Sequence, residues 1–178
     1  HESPLRKSLQ VVAINELADA RTIVHLSKYD STHGRFPGSI EAGEGEFFID
    51  GQAITLLREP IIGNLPWGDL GIDMVLECTG SFSDRETAEM HLVRGAKKVL
   101  FSQPAQADVD ATVVYGINQH DLLPGHQIVS SASCTTNGIV PVIQALQDAF
   151  GIESGTITTI HSAMNDQPVA DAYHNTDL

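Results

Sequence analysis

Asp73-Met74-Val75-Leu76-Glu77-Cys78-Thr79-Gly80 is followed first by the segment Asp84 to Arg94 and then by Lys98-Val99-Leu100-Phe101. The first run reads as a buried strand ending in Thr-Gly, the second as a helix and the third as a strand. Outward from this unit, Gln10-Val11-Val12-Ala13-Ile14 is an apolar, β-branched run of the kind found in buried parallel strands. Leu17 to Tyr29 reads as helix, with Ile23, Leu26 and Tyr29 on one face. Ser39 to Leu57 alternates, and its Asp50-Gly51 step predicts two strands about a tight turn. Pro60 to Trp67 reads as loop. Thr112 to Tyr115 and Gln127 to Val129 read as short strands, and Thr156 to Ile160 as a β-branched one. Strands at intervals with helices between them predict an α/β fold with a doubly wound, mostly parallel sheet.

The 178 residues are 42% hydrophobic and 19% charged, an ordinary globular composition. A net charge of −13 argues against nucleic acid as a partner, which would need a basic surface. No apolar run approaches a membrane span, and His1 to Arg6 lacks the apolar centre of a signal peptide, so no membrane partner is expected. The two cysteines, Cys78 and Cys134, form neither a CxxC pair nor a zinc spacing, and none of the eight histidines falls in HExxH. No metal site is expected, and a reduced, cytoplasmic setting is.

Ser130-Ser131-Ala132-Ser133-Cys134-Thr135-Thr136-Asn137 leads from the apolar pair Ile128-Val129 into Ile139 to Phe150, which reads as helix. A thiol at such a junction meets outward-facing N–H groups and the positive end of a helix dipole, which favour the thiolate. Ser133, Thr135 and Thr136 add hydroxyl donors for a carbonyl or phosphate oxygen. The plainer reading makes Cys134 a small buried residue and Ser133 a helix cap. Pro141 allows two further readings, a regular helix that begins near it or one that kinks there. Cys78 reads as a core residue at a strand-to-helix turn. Asn15-Glu16 follows its strand at once, and an acid at that point is where a dinucleotide-binding fold places its ribose-diol acceptor. The glycine-rich turn that should precede such an acid by roughly 20 residues is absent. Gly43-Glu44-Gly45-Glu46 has no third glycine and lies in the hairpin region, so it is rejected as a phosphate cradle.

Ser131-Ala132-Ser133-Cys134-Thr135-Thr136-Asn137 is similar to the active-site signature of the glyceraldehyde-3-phosphate dehydrogenase family, and Thr158-Thr159-Ile160-His161-Ser162 to its catalytic histidine segment. Ala13 to Glu16, Lys28 to Phe36, Glu77-Cys78-Thr79-Gly80 and Gly95 to Val99 match further in family order. The resemblance covers essentially the whole chain. It implies a Rossmann-like domain over 1–133, lacking its first strand and glycine loop, and the start of an α+β catalytic domain over 134–178. It also implies NAD as cofactor, held by Asn15, Glu16, Thr79, Gly80, Phe82 and Ser102. A small-molecule aldehyde phosphate would be held by Ser133, Cys134 and Thr135. Cys134 would be the nucleophile and His161 the base, in a homo-oligomer that the family makes a tetramer. Gly138 stands where the family commonly has a second, non-nucleophilic cysteine.

Asn15 to Ala20 and Ile160 to Gln167 most resemble the members of this family that oxidise erythrose 4-phosphate in pyridoxal phosphate synthesis. Met164 points the same way, because the glycolytic members carry there a threonine that binds phosphate, and a thioether cannot donate a hydrogen bond. Two alternatives remain open at this level: the phosphorylating, glycolytic dehydrogenase and a non-catalytic dinucleotide-binding fragment.

Overall fold

The structure, a computed structural model, describes residues 7–43 and 45–163. They fall into two compact units. One takes the described residues up to Pro60 together with those from His161; the other is Ile61–Ile160.

In the first unit, strand β1 (Ala13–Asn15) leads to helix α1 (Ala20–Lys28), the short pair β2 (Tyr29–Asp30) and β3 (Gly34–Arg35), and the meander β4 (Ile40–Ala42), β5 (Glu46–Ile49) and β6 (Gln52–Leu57). The sheet order is β1-β6-β5-β4, with β1 parallel to β6 and the rest antiparallel. The Asp50-Gly51 turn forms as expected: φ is +51° and +78°, the doubly left-handed geometry of a type I′ hairpin. Helix α1 is shorter than the sequence suggests. Asp19 caps it, its Oδ1 accepting from Arg21 N at 2.9 Å and Thr22 N at 3.0 Å, so Leu17 and Ala18 stay outside. At the other end Tyr29 leaves the helix to pair with Arg35, and it is exposed rather than in line with Ile23. The core of this unit is Ala18, Ile23, Ile40, Phe47 and Ile54.

In the second unit a 3-10 turn at Ile62–Asn64 lies within the segment read as loop. Then come β7 (Met74–Glu77), α2 (Arg85–Val93), β8 (Lys98–Phe101), β9 (Ala111–Thr112), β10 (Ile128–Ser130) and α3 (Cys134–Phe150). The four strands form one sheet, order β7-β8-β10-β9, parallel throughout. That is the expected α/β architecture: α2 carries the chain from the end of β7 back to the edge where β8 starts in parallel, and longer non-α connections do the same for β9 and β10. Helix α2 is capped by Asp84, whose Oδ1 accepts from Thr87 N at 2.8 Å. Asp110 ties β10 to the start of α2. Its Oδ2 accepts from Gln127 N at 2.7 Å and Ile128 N at 2.9 Å, and Arg85 Nη2 donates to Oδ1 at 2.6 Å.

Four further expectations change. Strand β7 is buried on one face only: Val75 and Glu77 are inside, while Met74 and Leu76 are 47% and 62% exposed. Cys78 is exposed, not core, because it lies one residue beyond the strand on the turn that leaves the sheet. The β-branched run Thr156 to Ile160 is not a strand, since among the described residues nothing pairs with it, and Ile160 is 97% exposed. Propensity without a hydrogen-bonding partner does not make a strand. Helix α3 starts at Cys134, ahead of the expected Ile139, and runs through Pro141. Among the described residues no helix is long and apolar enough to cross a membrane.

Candidate active site

Ligands of open parallel sheets sit outside the carboxyl ends of the strands. In the second unit, the expected site residues emerge from that edge on three adjacent strands. Thr79 and Gly80 follow β7, Ser102 follows β8, and the Ser130–Cys134 segment follows β10.

The thiol is delivered by a tight turn. Ser130 Oγ, fully buried, accepts from Ala132 N at 3.0 Å, and Ala132 is held at φ +61°, a region that costs a residue with a Cβ. Ser131 is fixed to β8, its N and Oγ donating to Phe101 O at 2.9 and 3.0 Å. Ser133 is the N-cap of α3: its Oγ accepts from Thr136 N at 2.9 Å and lies 2.6 Å from Thr136 Oγ1. The capping reading of Ser133 is therefore the observed one, and a role toward substrate would have to share that hydroxyl. Cys134 is the first residue of the helix and is exposed, which removes the reading of it as a buried filler. Thr135, next in the first turn, is half-buried. A first-turn position at the positive end of a 17-residue helix favours an anion such as a thiolate.

The second turn on this edge is Cys78-Thr79-Gly80. Glu77 Oε1 accepts from Thr79 N at 2.7 Å, and Thr79 Oγ1 accepts from Ser81 N at 3.1 Å. Gly80 has φ +70°, and a Cβ placed there would meet nothing within 4 Å. The glycine is thus needed for its backbone conformation, and the space beside it is open to a ligand. Ser102 N donates to Glu77 O at 3.0 Å, and its Oγ to Gln103 Oε1 at 2.8 Å.

Gln103 braces the candidate site, and sequence reasoning missed it. Its Nε2 donates to Phe82 O at 2.7 Å, and its backbone carbonyl accepts from Ser130 Oγ at 2.8 Å. One residue thereby joins the loops after β7, β8 and β10. No local signal in the sequence marks it, because its partners lie 21 and 27 residues away.

In the first unit, Asn15 ends β1, and its side chain makes a reciprocal pair with the backbone of Glu59, Nδ2 to O and N to Oδ1, both at 3.0 Å. Glu16 is exposed, and its Oε1 accepts from Leu17 N at 2.7 Å and Ala18 N at 3.3 Å. Both bonds fall on one carboxylate oxygen, which fixes the group at the carboxyl end of the strand. His161 belongs to this unit and Cys134 to the other. The His161 ring is exposed, and its Nδ1 lies 2.7 Å from Ser162 O. A carbonyl only accepts, so the proton sits on Nδ1, and in the neutral ring Nε2 is the basic atom. Met164 lies outside the described residues.

Two family models match the chain: the NAD binding domain of glyceraldehyde 3-phosphate dehydrogenase over residues 3–85, and the C-terminal domain of the same enzyme over residues 133–178. Together they take in well over half of the chain, and the second begins at the cap of the helix that carries Cys134. Sheet topology and family match agree: the chain belongs to the glyceraldehyde-3-phosphate dehydrogenase family of NAD-dependent oxidoreductases.

Proposed function

We propose that the chain carries the thiol and cofactor-binding groups of an aldehyde-phosphate dehydrogenase, with Cys134 as nucleophile. The observation that carries this is the seating of Cys134: exposed, first in α3, and on the carboxyl edge of a wholly parallel sheet. Each unit, taken by itself, offers groups that suit NAD. Glu16 offers a fixed carboxylate with a second oxygen for a ribose diol, while Gly80 leaves open space beside a turn of backbone groups next to Ser102. Phe82, held through its carbonyl by Gln103, stands by that turn. When bound, NAD accepts the hydride.

His161 Nε2 takes the thiol proton of Cys134, the thiolate adds to the aldehyde carbon, and the same proton passes to the carbonyl oxygen, which becomes the hydroxyl of a thiohemiacetal. His161 Nε2 removes that hydroxyl proton as the C–H hydride leaves, which gives a thioester. Once that proton has passed from His161 Nε2 to solvent, water attacks the thioester while Nε2 takes a proton from it, and the acid and the Cys134 thiolate separate.

Within this chemistry we favour erythrose 4-phosphate as substrate and 4-phosphoerythronate as product, in pyridoxal phosphate synthesis. Support comes from the likeness of residues 15–20 and 160–167, and from Met164, which supplies no hydroxyl for an attacking phosphate. A hydrogen bond to a charged group is worth about 1.5–3 kcal/mol, roughly ten- to a hundred-fold in binding, enough for water to compete. A cytoplasmic homotetramer goes with this reading by family likeness alone. The matching test is Met164→Thr, expected to raise phosphorolysis relative to hydrolysis. An unchanged partition of the thioester between phosphate and water would remove Met164 from the account.

A further inference from the structure

Beneath the Thr79–Gly80 turn lies a buried polar group that the chemistry above does not use. Glu77, the last residue of β7, is 4% exposed, and His91 on α2 is 3% exposed. Trp67 Nε1 donates to His91 Nδ1 at 2.9 Å. An indole nitrogen can only donate, so His91 Nδ1 must be the acceptor and the proton of the neutral ring must sit on Nε2. That atom is fully buried and faces Glu77 Oε2 at 3.7 Å, beyond hydrogen-bond length. Glu77 Oε1 meanwhile takes the Thr79 N–H at 2.7 Å. The two oxygens of one carboxylate therefore face two donors, one from the core and one from the turn.

We propose that Glu77 is a positioning residue for the cofactor-side turn: it holds the Thr79 N–H with one oxygen, is kept in that orientation by charge attraction to the buried His91 Nε2–H that faces the other at 3.7 Å, and depends on Trp67 to fix the His91 tautomer. This rests on the reading that the Thr79–Gly80 turn lies against NAD. The choice of glutamate follows from the donors. An amide in its place has one oxygen and one NH2, so in either orientation it sets donor against donor, at Thr79 or at His91. Burial acts to raise the Glu77 carboxyl, and the facing imidazole together with the Thr79 hydroxyl and N–H outweighs it, leaving the group ionised below its ordinary range.

The same donor logic supplies the test. In the intact protein, Glu77→Gln should weaken NAD binding roughly ten-fold while kcat at saturating NAD stays within about two-fold. Adding Trp67→Phe removes the indole donor, so His91 can move its proton to Nδ1 and accept at Nε2 from the NH2 of the introduced amide. The double variant should recover most of the lost NAD affinity, a coupling that loss of packing would not produce. Wild-type NAD affinity in Glu77→Gln, or no recovery in the double variant, would overturn the proposal. Gly80→Val separates the two readings. If it too leaves NAD binding intact, the turn does not touch the cofactor and both readings fall. If it weakens binding while Glu77→Gln does not, only the positioning role falls. Should Glu77→Gln not fold, nitrogen NMR of histidine-labelled wild-type protein decides. Protonated Nε2 and bare Nδ1 at His91 support the proposal, and protonated Nδ1 overturns it.

Discussion

Two exposed thiols, Cys78 and Cys134, differ in what the backbone offers them. Cys134 opens a long helix behind a serine cap; Cys78 follows a strand end and precedes a turn. Since neither is shielded, selectivity must come from thiolate stabilisation, not from access. Iodoacetamide should therefore label Cys134 well before Cys78 at neutral pH, read by peptide mass. Equal labelling, or preference for Cys78, would count against the assignment. Cys134→Ser should abolish aldehyde oxidation and leave NAD binding nearly intact. The thiol, its cap and the Asn15-Glu16 step were legible in the sequence because each rests on neighbours in the chain. Gln103, Trp67 and His91 were not. Their bonds to Phe82, Ser130 and each other span 21 to 27 residues and exist only once the sheet has formed.

At the scale of the element, two devices hold the edge in place. The first is the turn between β10 and α3, where Ala132 sits at φ +61° and is 5% exposed. Ala132→Gly should change stability by no more than about 1 kcal/mol, since relief of strain and added freedom of the unfolded chain oppose each other. Ala132→Val should cost more than that and also slow Cys134 labelling, because a β-branched residue resists this backbone geometry. Both changes are measured by urea unfolding and by alkylation rate. The second device is Asp110. The Ile128 N–H lowers its pKa most, burial opposes this, and Arg85 and the Gln127 N–H add to the lowering, which takes it from 3.8 to about 2. A carboxyl lowered by folding contributes stability that is full above its unfolded value and is lost as pH falls from about 4 to about 2. Asp110→Asn should therefore cost about 2 kcal/mol at neutral pH and flatten the acid limb of the stability profile. An unchanged acid limb in a pH series of unfolding curves would place the linkage elsewhere.

Across the whole molecule, the order of elements was readable because the strands of both units are short β-branched or apolar runs bounded by capped helices or by the Asp50-Gly51 turn. What sequence could not give was which faces are covered. Met74 and Leu76 read as interior residues and Ile160 as the end of a strand, yet burial and pairing depend on what packs against them, and in the structure all three are exposed. Chemistry was legible only in part, since Cys134 and His161 belong to separate compact units and chain order alone cannot bring them together. The proposed chemistry is oxidation of a phosphorylated aldehyde at Cys134 with transfer of the acyl group to water. It is tested most directly by the initial rate of NADH formation from erythrose 4-phosphate by the intact protein in phosphate-free buffer. Sustained turnover is expected there, with poor turnover of glyceraldehyde 3-phosphate. A strict requirement for inorganic phosphate together with preference for glyceraldehyde 3-phosphate, or no NADH from either aldehyde, would contradict it.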